Sequence, residues 1–272
     1  MTDLPLLGAA MPLDTLDSLR DWILADHRDL ELQDFIDAEV LNGDWQPQVD
    51  RARALLDGYE GRLGIHGPFW GLSLANPDPD LRALVTRRMG QGLSVCAALG
   101  ATQMVIHSPY STWDYNNLDN YPDARDRMVA LVHDTLDPVI AQAEDAGVTM
   151  VLENIEDKDP DARCLLADSF SSPAVAVSID TGHAHYAHGS TGAPPVDYYV
   201  HRAGNRLRHI HLQDADGYAD RHWAIGQGTV NWHAVFAALA PLTSRPRLIM
   251  ELRDPAGILP SRDWLEAQGL AR

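Results

Sequence analysis

Short runs of apolar residues alternate along the chain with longer segments in which apolar and polar positions recur at helical spacing. The runs fall at 4–10 (LPLLGAA), 29–34 (DLELQD), 61–66 (GRLGIH), 102–107 (TQMVIH), 148–153 (VTMVLE), 175–180 (VAVSID), 206–212 (RLRHIHL) and 246–251 (PRLIME). Such brief, nearly continuous apolar stretches read as parallel strands buried on both faces. Between them, helices are predicted over 16–26, 47–58, 80–99, 124–146, 161–170, 195–203, 231–240 and 261–269. Asp14-Thr15, Asp78-Pro79 and Tyr121-Pro122-Asp123 supply start signals, and Gly100 and Gly147 stand where left-handed caps are expected. Eight strand-helix units in 272 residues predict an α/β fold, a single (β/α)8 TIM barrel over 1–272 with its site at the C-terminal mouth of the strands. No Gly-x-Gly-x-x-Gly or Gly-x-x-x-x-Gly-Lys-Ser/Thr motif follows a strand, so no nucleotide cofactor is expected.

Composition adds a constraint on partners. Hydrophobic residues make up 45% and aromatic residues 7%, ordinary values for a globular chain with a sizeable core. Asp and Glu number 39 against 21 Lys and Arg, a formal net charge of -18, and Lys158 is the only lysine. A chain that binds polyanions needs a basic footprint to displace counterions, so this balance argues against nucleic acid as partner. Cys96 and Cys164 lack metal or redox spacing and read as buried free thiols, which suits a reducing compartment. Arg20 is the first basic residue, too late for a signal-peptide n-region, and the uncharged stretches 89–113 and 222–244 are too polar for a membrane span. The expectation is a soluble, cytoplasmic protein with no membrane association.

The candidate chemistry lies at the strand ends. His66, His107, Glu153, Asp180 and Glu251 each close a predicted strand, His211 lies near the end of another, and His183, Asp220 and His222 follow close behind. A lone histidine or acid at such a position is ordinarily a rim or capping residue. Six consecutive strands ending this way is a different matter. In a barrel these nine side chains converge on one mouth, and their unpaired charges would be costly to desolvate unless a cation compensates. A bound divalent metal is therefore expected. The ligand types do not choose among Mn, Mg, Co and Zn. His185, His188, His201, His209 and His233 are left outside the site. His209 is assigned to the helical layer on the ground that it alternates with His211.

The segments IHGPF (65–69), VIHSPY (105–110), LEN (152–154), SIDTGHA (178–184), HIHLQDADGYADRHWAIGQGTVNW (209–232) and IMELRD (249–254) resemble the xylose-isomerase-like TIM-barrel superfamily. It includes sugar phosphate isomerases and epimerases and the metal-dependent apurinic endonucleases. The resemblance covers the third to eighth strands closely. In the epimerase members it implies that Glu153, Asp180, His211 and Glu251 hold one divalent ion and that His183 contacts substrate. In the endonuclease members it implies three zinc ions on all nine positions, so His66, His107, His183, Asp220 and His222 would be substrate-binding residues or additional ligands.

Two chemistries then compete. Proton transfer next to a carbonyl needs a polarised carbonyl, a stabilised enediolate and acid/base groups. A metal supplies the first two, and Glu153 and Glu251 would move the protons. Weaker candidate contacts to a small, sugar-like substrate are Glu156, the aromatic faces of Trp70 and Trp113, and the guanidinium groups of Arg221 and Arg253. The aromatic loops at 69–70 and 110–115 could also serve a homo-oligomer interface. The alternatives are a trinuclear-zinc, apurinic-endonuclease-like phosphodiester hydrolase and a lyase or dehydratase using the same enolate. The loops LANPDPD (74–80), IEDKDPDAR (155–163) and DADGYAD (214–220) are acidic where a duplex would lie, which favours small-molecule isomerase or epimerase chemistry.

Overall fold

The computed structural model describes residues 4–272. Parallel strands close into a barrel in chain order: β1 (Leu7–Met11), β2 (Leu30–Leu32), β3 (Leu63–His66), β4 (Gln103–His107), β5 (Thr149–Glu153), β6 (Val175–Asp180), β7 (Leu207–Leu212) and β8 (Arg247–Met250), the last paired with the first. Helices α1 (Leu13–Ala25), α2 (Ala38–Asn42), α3 (Gln46–Leu55), α4 (Pro79–Leu99), α5 (Thr112–Asn117), α6 (Ala124–Ala146), α7 (Pro160–Ser169), α8 (Thr181–Thr191), α9 (Val196–Ala203), α10 (Trp232–Leu239) and α11 (Ile258–Ala267) alternate with them. All eight predicted strands and helices are present, most of them with shifted ends. Helices α2, α5 and α8 are additional, and α8 takes up the GHAHYAHG run. The first strand starts at Leu7 because Pro5 has no N–H for the ladder. Its carbonyl instead accepts from Arg272 N at 3.0 Å, and Leu7 N donates to Arg272 O at 2.9 Å.

Side-chain alternation sorts each strand between two environments. Met104, Ile106, Met150, Leu152, Val177 and Ile179 join the large core between strands and helices, whereas Val105, Val151 and Ala176 form a separate small cluster. The odd-numbered set on β4 and β5 continues upward to His107 and Glu153, so the same periodicity that builds the core delivers the polar groups to the mouth. Register then sets their heights. His107 lies opposite Glu153 in the β4–β5 pairing, and Asp180 opposite His211 in the β6–β7 pairing. A bulge between Val177 and Ser178 resets the β6–β7 register just below this level. Gly100 and Gly147 take the left-handed caps, with φ of 73° and 66°. Cys96 and Cys164 are free and buried, and no helix among the described residues is long and apolar enough to cross a membrane.

The loop that leaves β5 is clamped by a buried ion pair. Asp157 accepts from Arg163 Nη1 at 2.8 Å, Ser108 Oγ at 2.9 Å and its neighbour Ile155 N at 3.1 Å, and the Tyr199 hydroxyl donates to its carbonyl. Removing one partner would leave the other charge buried and uncompensated, which costs about 3–5 kcal/mol. Arg163→Met is accordingly expected to lower the unfolding free energy in urea by about that amount. A change below about 1 kcal/mol, the range of an exposed pair, would show that the clamp is not structural.

Candidate metal centre at the barrel mouth

Glu153 ends β5, Asp180 ends β6, His211 lies one residue before the end of β7, and Glu251 follows β8 directly. All four are buried, and they offer ligand atoms within 4.8 Å of one another. His211 Nδ1 sits 2.8 Å from Glu153 Oε1 and 3.3 Å from Glu251 Oε2. The second oxygen of Glu153 and Asp180 Oδ2 are buried without a hydrogen-bond partner. Leaving carboxylate oxygens dry and unpaired is costly, and a cation bound among them removes the penalty. Oxygen and imidazole donors in this number suit a divalent ion. The residues therefore fit a metal.

Two further groups flank this centre. His66 Nε2 and His107 Nε2 lie 3.8 and 3.6 Å from Glu153 Oε2, and His183, Asp220 and His222 gather on the other side. His183 Nε2 is 3.4 Å and His222 Nε2 3.0 Å from Asp220 Oδ1. Phe69 stacks on His107 at 4.2 Å between ring centroids, closing one wall.

Uncharged amides hold these groups in place. Gln213 is fully buried, donates from Nε2 to Asp180 Oδ1 and Asp220 Oδ1, each at 3.1 Å, and accepts from His222 N at 2.7 Å. Gln33 Nε2 donates to Glu251 Oε1 at 2.8 Å, and Asn154 exchanges two hydrogen bonds with the Asp180 backbone. A Cβ at Gly182 would meet the Gln213 carboxamide at 2.2 Å, so any side chain there would push Gln213 off its partners. His222 itself has φ of 49°, a left-handed conformation that costs a non-glycine residue of order 1 kcal/mol or more. Its N–H to Gln213 and its carbonyl, which accepts from Arg253 N at 3.0 Å, hold it there. The nearby Asp214 is structural. Its oxygens accept from Gly226 N, Val230 N, Ala215 N and Trp232 Nε1 at 2.8–3.1 Å, which ties the long 214–232 loop to the end of β7.

Electrostatically the mouth pairs imidazoles with carboxylates. Burial works against a charged His183, yet Asp180, Asp220 and Glu153 outweigh it and raise the ring to about 10. His222, also opposed by burial, is raised to about 9 by Asp220, Glu251 and Asp180. His211 stands well above its ordinary value because Glu251, Glu31 and Glu153 overcome its burial. Glu153, despite burial, is held well below the carboxylate range by His211, His107 and His183. Burial lifts Asp180 to about 6, with Glu153 adding to the effect and His183 opposing it. His107 goes the other way, to about 3, because burial prevails over Glu153.

A family model described as xylose isomerase-like TIM barrel matches residues 27–268. The chain belongs to this family. The protein "Uncharacterized protein MJ1311" of Methanocaldococcus jannaschii is 25% identical over 197 residues, 68% of this chain. The match spans 62% of that relative's own length, less than two thirds. Among solved structures, a D-tagatose 3-epimerase-like protein superposes with a TM-score of 0.76 at 20% identity over 96% of both chains. A D-psicose 3-epimerase from Clostridium cellulolyticum H10, solved with D-tagatose, gives 0.67 at 17% identity over 96% of this chain and 93% of its own. At these identities the superpositions establish the shared barrel.

The remaining sequence candidates are distributed around the mouth. Glu156 lines a cavity of about 550 Å³ with Ile155, His183, Tyr186, Tyr218 and Asp220. Trp70 and Trp113 are largely exposed, at 70% and 75%. Arg221 is committed to Asp216, with Nη2 at 2.8 Å, and Arg253 Nη2 lies 3.5 Å from the Asp220 carbonyl. His185 and His188 hydrogen-bond with Thr229 Oγ1 at 2.8 Å and the Ala193 carbonyl at 2.7 Å.

One assignment needs correction. His209 does not face the helical layer. Residues i and i+2 of a strand share a face, so His209 follows His211 into the barrel, their ring centroids 4.5 Å apart. With it comes Glu31 of β2, which sequence reasoning missed although LEL alternates an acid between two leucines. Glu31 is buried at 2% exposure beside both histidines.

Because His183, His211 and His222 keep their protons above neutrality in the ion-free protein, a cation must displace protons to use these rings. Raised imidazole values mean that this competition weakens as pH climbs from about 6.5 toward 9. Calorimetric titration with Mn²⁺ is expected to show tighter binding at the higher pH and proton release that depends on buffer ionisation enthalpy. A pH-independent affinity with no proton release would contradict the assignment.

Proposed function

We propose that this chain is a divalent-metal-dependent epimerase or isomerase of a ketose-like sugar, acting by carboxylate-mediated proton transfer. The observation that carries the reading is the convergence of Glu153 and Glu251, from separate strands, on the same nitrogen of His211, beside an open mouth cavity. Glu153, Asp180, His211 and Glu251 would hold the ion, which when bound would polarise the substrate's carbonyl and stabilise negative charge developing on it.

The chain's own groups do the rest. One glutamate takes the proton from the carbon beside the carbonyl, and the other glutamate returns one to the opposite face, which inverts that carbon. Return to the neighbouring carbon, with an oxygen-bound proton moving the other way, gives the isomer instead. Glu251 is oriented for this by Gln33, which occupies Oε1 and leaves Oε2 toward the centre. Glu153 Oε2 is free of hydrogen bonds and lies beside His66 and His107, 3.8 and 3.6 Å from their Nε2 atoms. Glu156, Tyr186 and Tyr218 along the cavity supply polar and aromatic contacts of the kind that sugars use. The epimerase names carried by the structural neighbours support the same substrate class.

A second reading has an observation of its own. The groups His66–His107–Glu153 and His183–Asp220–His222 flank the central four, the arrangement a trinuclear-zinc phosphodiester hydrolase would need. We place it second because the net charge of -18 and the engagement of Arg221 by Asp216 give the mouth little to attract a phosphate backbone.

The test is proton exchange from D₂O into a panel of free and phosphorylated ketoses by the Mn²⁺-loaded protein, followed by NMR. Deuterium is expected at a carbon beside the carbonyl. Glu153→Gln and Glu251→Gln should each slow exchange by about 10²–10⁴-fold, the usual contribution of a positioned acid or base. Absence of exchange across the panel, together with three bound zinc ions and nicking of abasic duplex DNA, would replace this reading with the second.

A further inference from the structure

Directly beneath His211, inside the barrel, lies a polar group that the proton-transfer chemistry does not use. Glu31 Oε1 is hydrogen-bonded to His211 Nε2 at 3.0 Å, and Oε2 lies 3.1 Å from His209 Nε2 in close contact without hydrogen-bond alignment. His209 is held from its other side by Ser178 Oγ, 2.8 Å from Nδ1. Ser178 is the register partner of His209, as Asp180 is of His211, so this lower tier repeats the geometry of the tier above. Strand β2 pairs only with β1 and β3, and the contact from Glu31 to β7 therefore spans the barrel interior. Glu31, His209, His211 and Ser178 are all buried.

We propose that Glu31 is the positioning residue of the metal centre, fixing the His211 ring so that Nδ1 faces the ion, with His209 and Ser178 holding Glu31 in place. An ionised carboxylate only accepts, so His211 Nε2 must carry the hydrogen in this contact. Nδ1, the nitrogen already lying between Glu153 and Glu251, is then the one that gives up its proton and offers a lone pair when a cation binds. The ring cannot flip to present Nε2 to the mouth without breaking the buried Glu31 contact. A carboxylate behind a ligating imidazole also makes it a stronger donor to the metal.

The inference rests on the metal-binding part of the proposed function and not on turnover, so it is tested on the metal. Co²⁺ titrated into the wild-type protein and into Glu31→Gln gives both an affinity and a visible ligand-field spectrum. Loss of such an outer carboxylate typically weakens binding by about 10–100-fold, and that loss with an altered spectrum at unchanged stoichiometry is expected here. A role confined to fold stability would lower the melting temperature of the metal-free protein and leave the cobalt spectrum as it was. The wild-type protein offers a second measurement that needs no variant to fold. Histidine ¹⁵N NMR of the Zn²⁺-loaded form should show His211 ligated through Nδ1 with hydrogen on Nε2. Ligation through Nε2, an affinity in Glu31→Gln within twofold of wild type with the same spectrum, or a wild-type protein that binds no Co²⁺ would each overturn the proposal. A protein that binds Co²⁺ as described but exchanges no substrate proton would refute only the sugar chemistry.

Discussion

Charge taken out of water governs this structure. Glu153, Asp180 and Glu251 leave their strands into a mouth where they are at most 8% exposed, and two of their oxygens have no hydrogen-bond partner. A barrel that put aliphatic residues there would be easier to fold. The chain instead balances carboxylates against imidazoles, tooth by tooth around the rim, and keeps the leftover oxygens aimed at one point. That arrangement leaves carboxylate oxygens placed where a cation would offset their burial, as the proposed function requires.

Everything around the centre can be understood as keeping those donors still. Gln213 links Asp180, Asp220 and the strained His222 backbone, and the absence of a Cβ at Gly182 leaves room for its carboxamide. Gln33 fixes Glu251, Asn154 fixes the Asp180 backbone, and Asp214 gathers four donors from the loop that carries Asp220 and His222. Farther out, the buried Asp157–Arg163 pair anchors the loop after Glu153. Amides hold Asp180, Asp220 and Glu251, whereas His211 is backed by the Glu31 carboxylate.

Much of the fold was legible because strands buried on both faces have to be apolar, and eight such runs with helices between them leave few arrangements. The ends were less so. Hydrophobicity continues through Pro5, but a ladder cannot, and β8 stops at Met250 although Glu251 continues the line of the strand. In the site, the charged and imidazole side chains stood out by residue type at strand ends, and the structure brings the nine together with Glu31 and His209 added. Gln33, Asn154 and Gln213 were invisible because a buried amide and a surface amide look alike in sequence. Glu31 was overlooked because it lies in the middle of its strand, whereas the candidates were sought at strand ends. His209 was misplaced by an error of period, not by missing information: two residues along a strand is the same face.

On the proposed function, a metal ion completes the buried carboxylates of the mouth. Anomalous scattering from a crystal soaked in Mn²⁺ tests it without reference to any substrate. The predicted result is a strong peak bounded by Glu153, Asp180, His211 Nδ1 and Glu251. A fully soaked crystal with no peak among these four residues would contradict it.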